Sequence, residues 1–285
     1  MTVLTVGEVI EESVRALAQA AVDDARLDAR LIVAHALNWT PERVFGYPEQ
    51  ELEGGELNLI RELIARRVKR EPLALITGEK EFWSLRFTVG PETLIPRPDS
   101  ETLIDAVLAA YPDREKNLRI LDLGTGSGCL LLTLLHEYVN ASGMGTDFSQ
   151  GALKIARGNA KNMDLSMRAG FVLSDWNQGV SQMGNFDIVI SNPPYVPQGD
   201  ESSLQPEVLE YEPHSALFAG SDGLMEYRTI ISHLPGLLDD EGMTFFEVGI
   251  DQAKAVSQLM EAAGMKDISC RHDLAGIERC VWGKM

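Results

Sequence analysis

From residue 119 onward, short apolar runs alternate with amphipathic stretches, and this alternation restricts the possible folds more than any other feature of the chain. Arg119-Ile120-Leu121-Asp122-Leu123 reads as a buried strand and Cys129 to His136 as an apolar helix. A strand ending at Asp147, a helix over 149–163, and strands at Phe171-Val172-Leu173 and Phe186 to Ile190 come next. A helix over 223–238, a strand from Thr244 to Val248, a helix over 251–264 and strands near 267–272 and 278–283 complete the series. Strands alternating with helices predict an α/β domain with a mostly parallel, doubly wound sheet. The last two strands, joined by a turn at Asp273 to Gly276, predict an antiparallel edge pair.

The preceding residues follow a different period. Leu57, Ile60, Leu63, Ile64 and Val68 recur at helical spacing, as do Leu27, Leu31, Ile32 and His35. Thr40 and Pro41 suit a helix start, as N-cap and first helical residue. Residues 1–70 are therefore expected to form a small helical bundle, with His35 packed inside it. Glu81 to Val89 alternates as a strand or hairpin, so 71–90 is expected to connect the bundle to a domain over 91–285. Leu94-Ile95-Pro96-Arg97-Pro98 excludes regular helix, because each proline drives its predecessor toward extended geometry. A helix follows, with Ser100 as its expected cap and Leu103, Ile104, Val107 and Leu108 on its apolar side.

The 285 residues suit one large and one small domain, and 45% hydrophobic content is enough for a proper core. No apolar run is long enough for a membrane helix, and Met1 to Glu8 lacks the basic region of a secretory signal. Cys129, Cys270 and Cys280 are odd in number and widely spaced, which argues against a disulfide framework and a zinc ribbon. A cytoplasmic protein with no structural metal and no membrane partner is the expectation. The formal net charge of −18 weighs against a protein that grips nucleic acid through phosphates. Arg66, Arg67, Lys69 and Arg70 form the densest basic run, expected to be the solvated face of a helix end.

Two motifs carry chemistry. Gly124-Thr125-Gly126-Ser127-Gly128 follows the first strand of the alternating series and opens a helix, where glycines let backbone approach a nucleotide-type cofactor. Its G-x-G-x-G spacing differs from the G-x-G-x-x-G of dinucleotide binders, which sets a nicotinamide dehydrogenase aside. Asp147, ending the next strand, is placed to hold two ribose hydroxyls, since Ser149 is the better cap for the helix after it. Trp176 follows the third strand, where an aromatic can meet adenine, or can instead anchor the core.

Asn192-Pro193-Pro194-Tyr195 follows the fourth strand, beside the cofactor motif. An amide nitrogen or exocyclic base amine is a poor nucleophile, because its lone pair is delocalised. A site that accepts both of its hydrogens favours pyramidalisation and builds electron density toward a methyl sulfonium. The Asn192 side-chain oxygen and the Pro193 carbonyl are suitable acceptors, two prolines stiffen the loop, and Tyr195 could lie flat over a planar acceptor.

These two motifs resemble class I methyltransferases acting on planar nitrogens. Glu71 to Gly78, Glu81-Phe82-Trp83-Ser84 and Leu94-Ile95-Pro96-Arg97-Pro98-Asp99-Ser100-Glu101 narrow the resemblance to the HemK/PrmC family. Further matches are Tyr211-Glu212-Pro213, Ala216-Leu217-Phe218, Asp222-Gly223-Leu224, and Asp273-Leu274-Ala275-Gly276 with Arg279. The resemblance implies a seven-stranded, Rossmann-like methyltransferase domain behind a helical substrate-recognition domain. It also implies S-adenosyl-L-methionine as methyl donor, S-adenosyl-L-homocysteine as product, and the Gly-Gly-Gln glutamine of bacterial peptide chain release factors as substrate; a monomer is expected. Carried over residue by residue, Gly124, Thr125, Gly126, Ser127, Gly128, Asp147, Trp176 and Asn192 would contact the cofactor. Asn192, Pro193, Pro194 and Tyr195 would grip the glutamine, and Leu94 to Pro98 would wall the pocket. The alternative within the same chemistry is an adenine-N6 or guanine-N2 nucleic-acid methyltransferase, expected to carry a basic face or recognition insert that this sequence lacks. A non-catalytic binding module would require an inert site.

Overall fold

The computed structural model describes residues 4–180 and 185–285. It separates into two compact units, Met1–Glu79 with Gln205–Tyr211, and Lys80–Leu204 with Glu212–Met285.

The first unit is built on helices α1 (Val6–Gln19), α2 (Ala25–Leu37), α3 (Pro41–Gly46), α4 (Gly54–Val68) and α5 (Leu73–Thr77). Thr5 opens α1 with a capping box, its side chain accepting from the Glu8 amide while Glu8 reaches back to the Thr5 amide. Thr40 caps α3, with Pro41 at its first position, as the sequence predicts. In α4 the expected stripe buries Leu57, Ile60, Leu63 and Ile64, but Val68 is exposed and Arg67 is buried in its place. In α2 the buried stripe runs through Ala25, Asp28, Ala29, Ile32 and Val33, which leaves Leu27 and His35 exposed. His35 is therefore not packed in the bundle.

In the basic run at 66–70 Lys69 is exposed, but the three arginines are paired and do not form a solvated face. Arg67 Nε donates to Asp28 Oδ2 at 2.7 Å, and the same guanidinium donates to Glu207 Oε1 at 3.1 Å. Arg70 donates to Glu207 Oε2 at 2.7 Å, and Arg66 pairs with Glu71. Burial alone would raise the Glu207 carboxyl; hydrogen bonds from Arg70 and Arg67 outweigh it and hold the group below its usual range. α5 occupies the first part of the 71–90 stretch expected to connect the two domains. Pro72 starts it and Gly78, at φ +75°, ends it, with Leu73, Ala74 and Leu75 as good helix formers between.

The second unit begins with a hairpin of β1 (Glu79–Phe82) and β2 (Leu85–Thr88). A 3-10 turn at Pro98–Ser100 runs directly into α6 (Glu101–Ala110). Ser100 is already helical there and makes no cap; its hydroxyl is used elsewhere. The alternating part follows as β3 (Arg119–Leu123), α7 (Cys129–Glu137), β4 (Ser142–Asp147), α8 (Gln150–Asn162), β5 (Ala169–Leu173) and β6 (Phe186–Ser191). α9 (Pro206–Tyr211) belongs to the helical unit, after which come α10 (Met225–His233), β7 (Leu238–Glu247), α11 (Ala253–Ala262), β8 (Lys266–His272) and β9 (Glu278–Lys284). Pro235 and Gly236 stop the helix predicted to reach residue 238, and β7 starts there with a register shift against β6.

The seven strands are ordered β5-β4-β3-β6-β7-β9-β8, parallel except at β9, which pairs antiparallel with both β7 and β8. This is the seven-stranded class I arrangement, with the expected antiparallel pair at one edge. Successive strand residues serve opposite faces. Ile120, Ile188 and Phe245 join the core under α6, α7 and α8, while Leu121, Val189 and Phe246 join the core under α10 and α11. Because both faces are covered, the strands read as continuous apolar runs. Among the described residues, no helix is long and apolar enough to cross a membrane, and no group of three or more His, Cys, Asp or Glu could hold a metal ion.

Candidate active site

Strand order reverses between β3 and β6: β4 and β5 continue the sheet on one side, β7 on the other. Crossovers therefore leave in opposite directions and open a crevice at the carboxyl ends of β3 and β6. A cavity of about 610 Å³ lies there, within the range of small-molecule sites. Gly124 to Ser127, Asp147, Trp176, Asn192 and Pro194 all line it. Four strand ends thus bring parts of both motifs into one cavity, while Gly128, expected among the cofactor contacts, does not line it.

The glycine loop is held against the sheet by the amides of Gly124 and Thr125, which both donate to the Thr146 carbonyl at 2.9 and 2.8 Å. Gly124 needs its φ of +74°, and a Cβ there would stand 3.2 Å from the Trp176 ring. Thr125 Oγ1 donates to Asp122 Oδ2 at 2.7 Å. Asp122 is pushed up to about 7 by burial, against the Thr125 hydrogen bond, and its Oδ1 has no partner.

Asp147 accepts from the Gly126 amide at 2.9 Å and the Ser149 amide at 2.8 Å, so its carboxylate is fixed at the cavity wall. Burial raises its pKa, while those two amides, with that of Phe148, work in the other direction. Ser149 caps α8, accepting from the Ala152 amide at 3.2 Å, as the sequence predicts. Trp176 adopts a left-handed φ of +48° and donates from Nε1 to Glu226 Oε2 at 2.8 Å, so one edge of the indole is tied down.

Asn192 follows β6, whose Ser191 hydroxyl donates to the Leu123 carbonyl at 2.6 Å and fixes the end of β6 to β3. The Asn192 amide donates from Nδ2 to Ser100 Oγ at 3.2 Å, which leaves Oδ1 as an acceptor. Pro193 is buried, and neither Pro193 nor Tyr195 is a lining residue of the cavity. The Tyr195 ring packs toward the core under α10, and its hydroxyl donates to Glu247 Oε1 at 3.3 Å. Burial first, then the nearby Glu247, raises the Tyr195 phenol, so it stays protonated. Leu94, Pro96 and Arg97 line the cavity as expected. Glu212 holds this wall, pairing with the Arg97 guanidinium and accepting from the Ile95 amide at 3.1 Å.

Sequence reasoning missed Glu247, Ser100 and Glu226 at this site. Glu247 had a visible signal, a carboxylate at the end of an apolar strand, where an unpartnered charge would be costly. Ser100 and Glu226 had none, because only the tertiary fold supplies their partners.

A family model described as the PrmC N-terminal domain matches residues 8–78, and a methyltransferase domain model matches 114–230. A release factor glutamine methyltransferase of Rhodospirillum rubrum is 40% identical, over 98% of this chain and 84% of its own length. One from Caulobacter vibrioides is 39% identical, over 94% of this chain and 92% of its own. Among solved structures, a T. thermophilus 16S rRNA N2 methyltransferase, RsmC, in complex with AdoMet and guanosine, superposes with a TM-score of 0.52. That match has 16% identity, covers 72% of this chain and 49% of the other, and speaks to the fold alone. With such identity running through both the helical and the glycine-loop regions, the chain belongs to the release factor glutamine methyltransferase family.

Proposed function

We propose that this chain transfers the methyl group of S-adenosylmethionine to the side-chain amide N5 of the glutamine in the Gly-Gly-Gln motif of bacterial release factors. One observation carries the reading: the Asn192 amide and the glycine loop share a single cavity, and Asn192 is oriented with its oxygen left to accept. The cavity suits the donor, with an acidic strand end at Asp147, close backbone at Gly124 to Gly126, and an indole at Trp176. When bound, S-adenosylmethionine supplies an electrophilic methyl on a sulfonium. Asp147 would hold the ribose hydroxyls, and Trp176 would face the adenine.

Asn192 Oδ1 would accept a hydrogen of the glutamine amide; the expected second acceptor, the Pro193 carbonyl, belongs to a residue that does not line the cavity. That pins the nitrogen and makes its lone pair available along one direction, a positioning effect rather than general-base catalysis. Tyr195 would act from behind the loop, as a brace for Asn192 and the prolines. The product nitrogen is acidic enough to lose its proton to water. The helical unit would hold the body of the release factor, the protein acting as a cytoplasmic monomer on protein and not on nucleic acid, in keeping with its charge of −18.

The test is incubation with labelled S-adenosylmethionine and, separately, a release factor and adenine-containing DNA. Label on the release factor is expected, lost in Asn192→Ala while cofactor affinity stays close to wild type. Label on DNA alone, or full activity in Asn192→Ala, would overturn the reading.

A further inference from the structure

The Asn192 amide can face the cavity with its oxygen or, turned over, with its nitrogen. Only the first is an acceptor, and the two forms are nearly isosteric. Ser100 Oγ lies 2.5 Å from Glu247 Oε2 and 3.2 Å from Asn192 Nδ2. A serine hydroxyl has one hydrogen. A carboxylate can only accept, so Glu247 takes that hydrogen, and the Ser100 oxygen is left with lone pairs alone toward Asn192. Asn192 must then offer Nδ2 to Ser100 and Oδ1 to the cavity.

We propose that Glu247 is a positioning residue for methyl transfer, setting through the Ser100 hydroxyl which end of the Asn192 amide faces the substrate. The inference rests on Asn192 being the acceptor of a glutamine amide hydrogen. The relay is built from three separate elements: the 3-10 turn before α6, the loop after β6, and the end of β7. Glu247 is 1% exposed and Ser100 2%, so water does not compete for the bonds.

Burial pushes the Glu247 carboxyl up to about 6, opposed by the Ser100 hydrogen bond, Arg279 and Tyr195. Asp99, beside Ser100, pushes in the same direction as burial. The remaining groups facing it are Tyr227 from α10, Cys280 from β9 and Cys129 at the start of α7, all shifted upward themselves and neutral near pH 7. Arg279, 7% exposed, is held by Asp273 at 3.3 Å and the Val248 carbonyl at 3.3 Å, so its charge stays beside Glu247. Protonating Glu247 removes its fixed role as acceptor, so transfer weakens as pH falls through about 6.

The experiment measures kcat for labelled methyl transfer to an intact release factor, with cofactor affinity by calorimetry and thermal melting on the same samples. Glu247→Leu should lower kcat by about 30-fold or more with cofactor affinity nearly unchanged, and it should melt lower than wild type, because the buried Ser100 and Tyr195 hydroxyls lose their acceptor. Glu247→Gln should recover most of the rate, because its amide oxygen can accept from Ser100 while its nitrogen donates to Tyr195. It should also lose the acid limb near pH 6. If Glu247→Leu does not fold, Ser100→Ala against Ser100→Thr decides: the alanine should be slow and the threonine, which keeps the hydroxyl, close to wild type. Near wild-type kcat in Glu247→Leu or Ser100→Ala, with Asn192→Ala inactive, would overturn the relay alone. An active Asn192→Ala would overturn the relay together with the function on which it rests.

Discussion

A methyl group placed on Gly223 should disturb the Asn192 loop from outside the cavity. Gly223 sits at φ +70°, and a Cβ there would lie 2.3 Å from the Tyr195 carbonyl oxygen and 2.6 Å from Gln252 Nε2. That glutamine nitrogen donates to the Tyr195 carbonyl at 3.0 Å, so the methyl would enter the bond that anchors the end of the loop. Real Cβ atoms essentially never come closer than 3.0 Å, so the Tyr195 carbonyl must retreat by about 0.7 Å. Since a misplacement of about 1 Å can cost roughly 100-fold in rate, Gly223→Ala should lower kcat by about 10- to 100-fold.

Left-handed alanine also costs about 1–2 kcal/mol of stability, wherever it is placed. Gly264, at φ +90° with nothing within 4 Å of its notional Cβ, isolates that cost. Both variants should melt lower, Gly223→Ala by more because the clash adds to the left-handed cost, and only Gly223→Ala should be slow in single-turnover transfer to a release factor. Equal rates in the two variants would refute the steric argument and place the loop's rigidity elsewhere.

Asp147→Ala should weaken S-adenosylmethionine by roughly 10- to 100-fold in calorimetry, the worth of charge-assisted bonds to two hydroxyls; unchanged affinity would contradict the ribose assignment. Arg67→Ala leaves Asp28 and Glu207 without their shared cation at about 10% exposure and should cost on the order of 3 kcal/mol in denaturant unfolding of the full chain. A loss under about 0.5 kcal/mol would show the cluster to be no better than a surface pair. Asp122 has its folded pKa raised from 3.8 to about 7, so its contribution to stability is fully present below about 4 and fades as pH rises through 7. Asp122→Asn should therefore gain on wild type as pH rises, by up to roughly 4 kcal/mol at pH 8; parallel stability profiles would count against a buried, neutral Asp122.

The strand–helix alternation was legible because β3, β6 and the end of β7 are buried apolar runs, and local sequence suffices to mark such strands. The site motifs were legible for a related reason: strand ends carry them in sequence order. What escaped was set by partners distant in sequence. A stripe through Leu27, Leu31 and His35 is rotated from the buried one because Asp28, polar on its own, is buried once Arg67 pairs with it across 39 residues. Ser100 reads as a cap because Ser before a helix usually is one, yet its hydroxyl goes to Glu247, 147 residues on. Tyr195 follows two prolines at the site, and nothing local reveals that its ring turns toward the core.

The helical unit closes on a segment that the chain reaches only after six strands of the other unit have been formed in sequence. Glu207, the counterion of Arg67 and Arg70, comes from that late return. A fragment ending at residue 79 would thus leave Arg70 without its carboxylate and Arg67 with Asp28 alone, and it would lack the Tyr211 hydroxyl that donates to the Lys69 carbonyl. During synthesis the same holds for any nascent chain shorter than about 207 residues. The helical unit, first to emerge, is among the last to be finished, and its completion waits on the segment that follows the Asn192 loop.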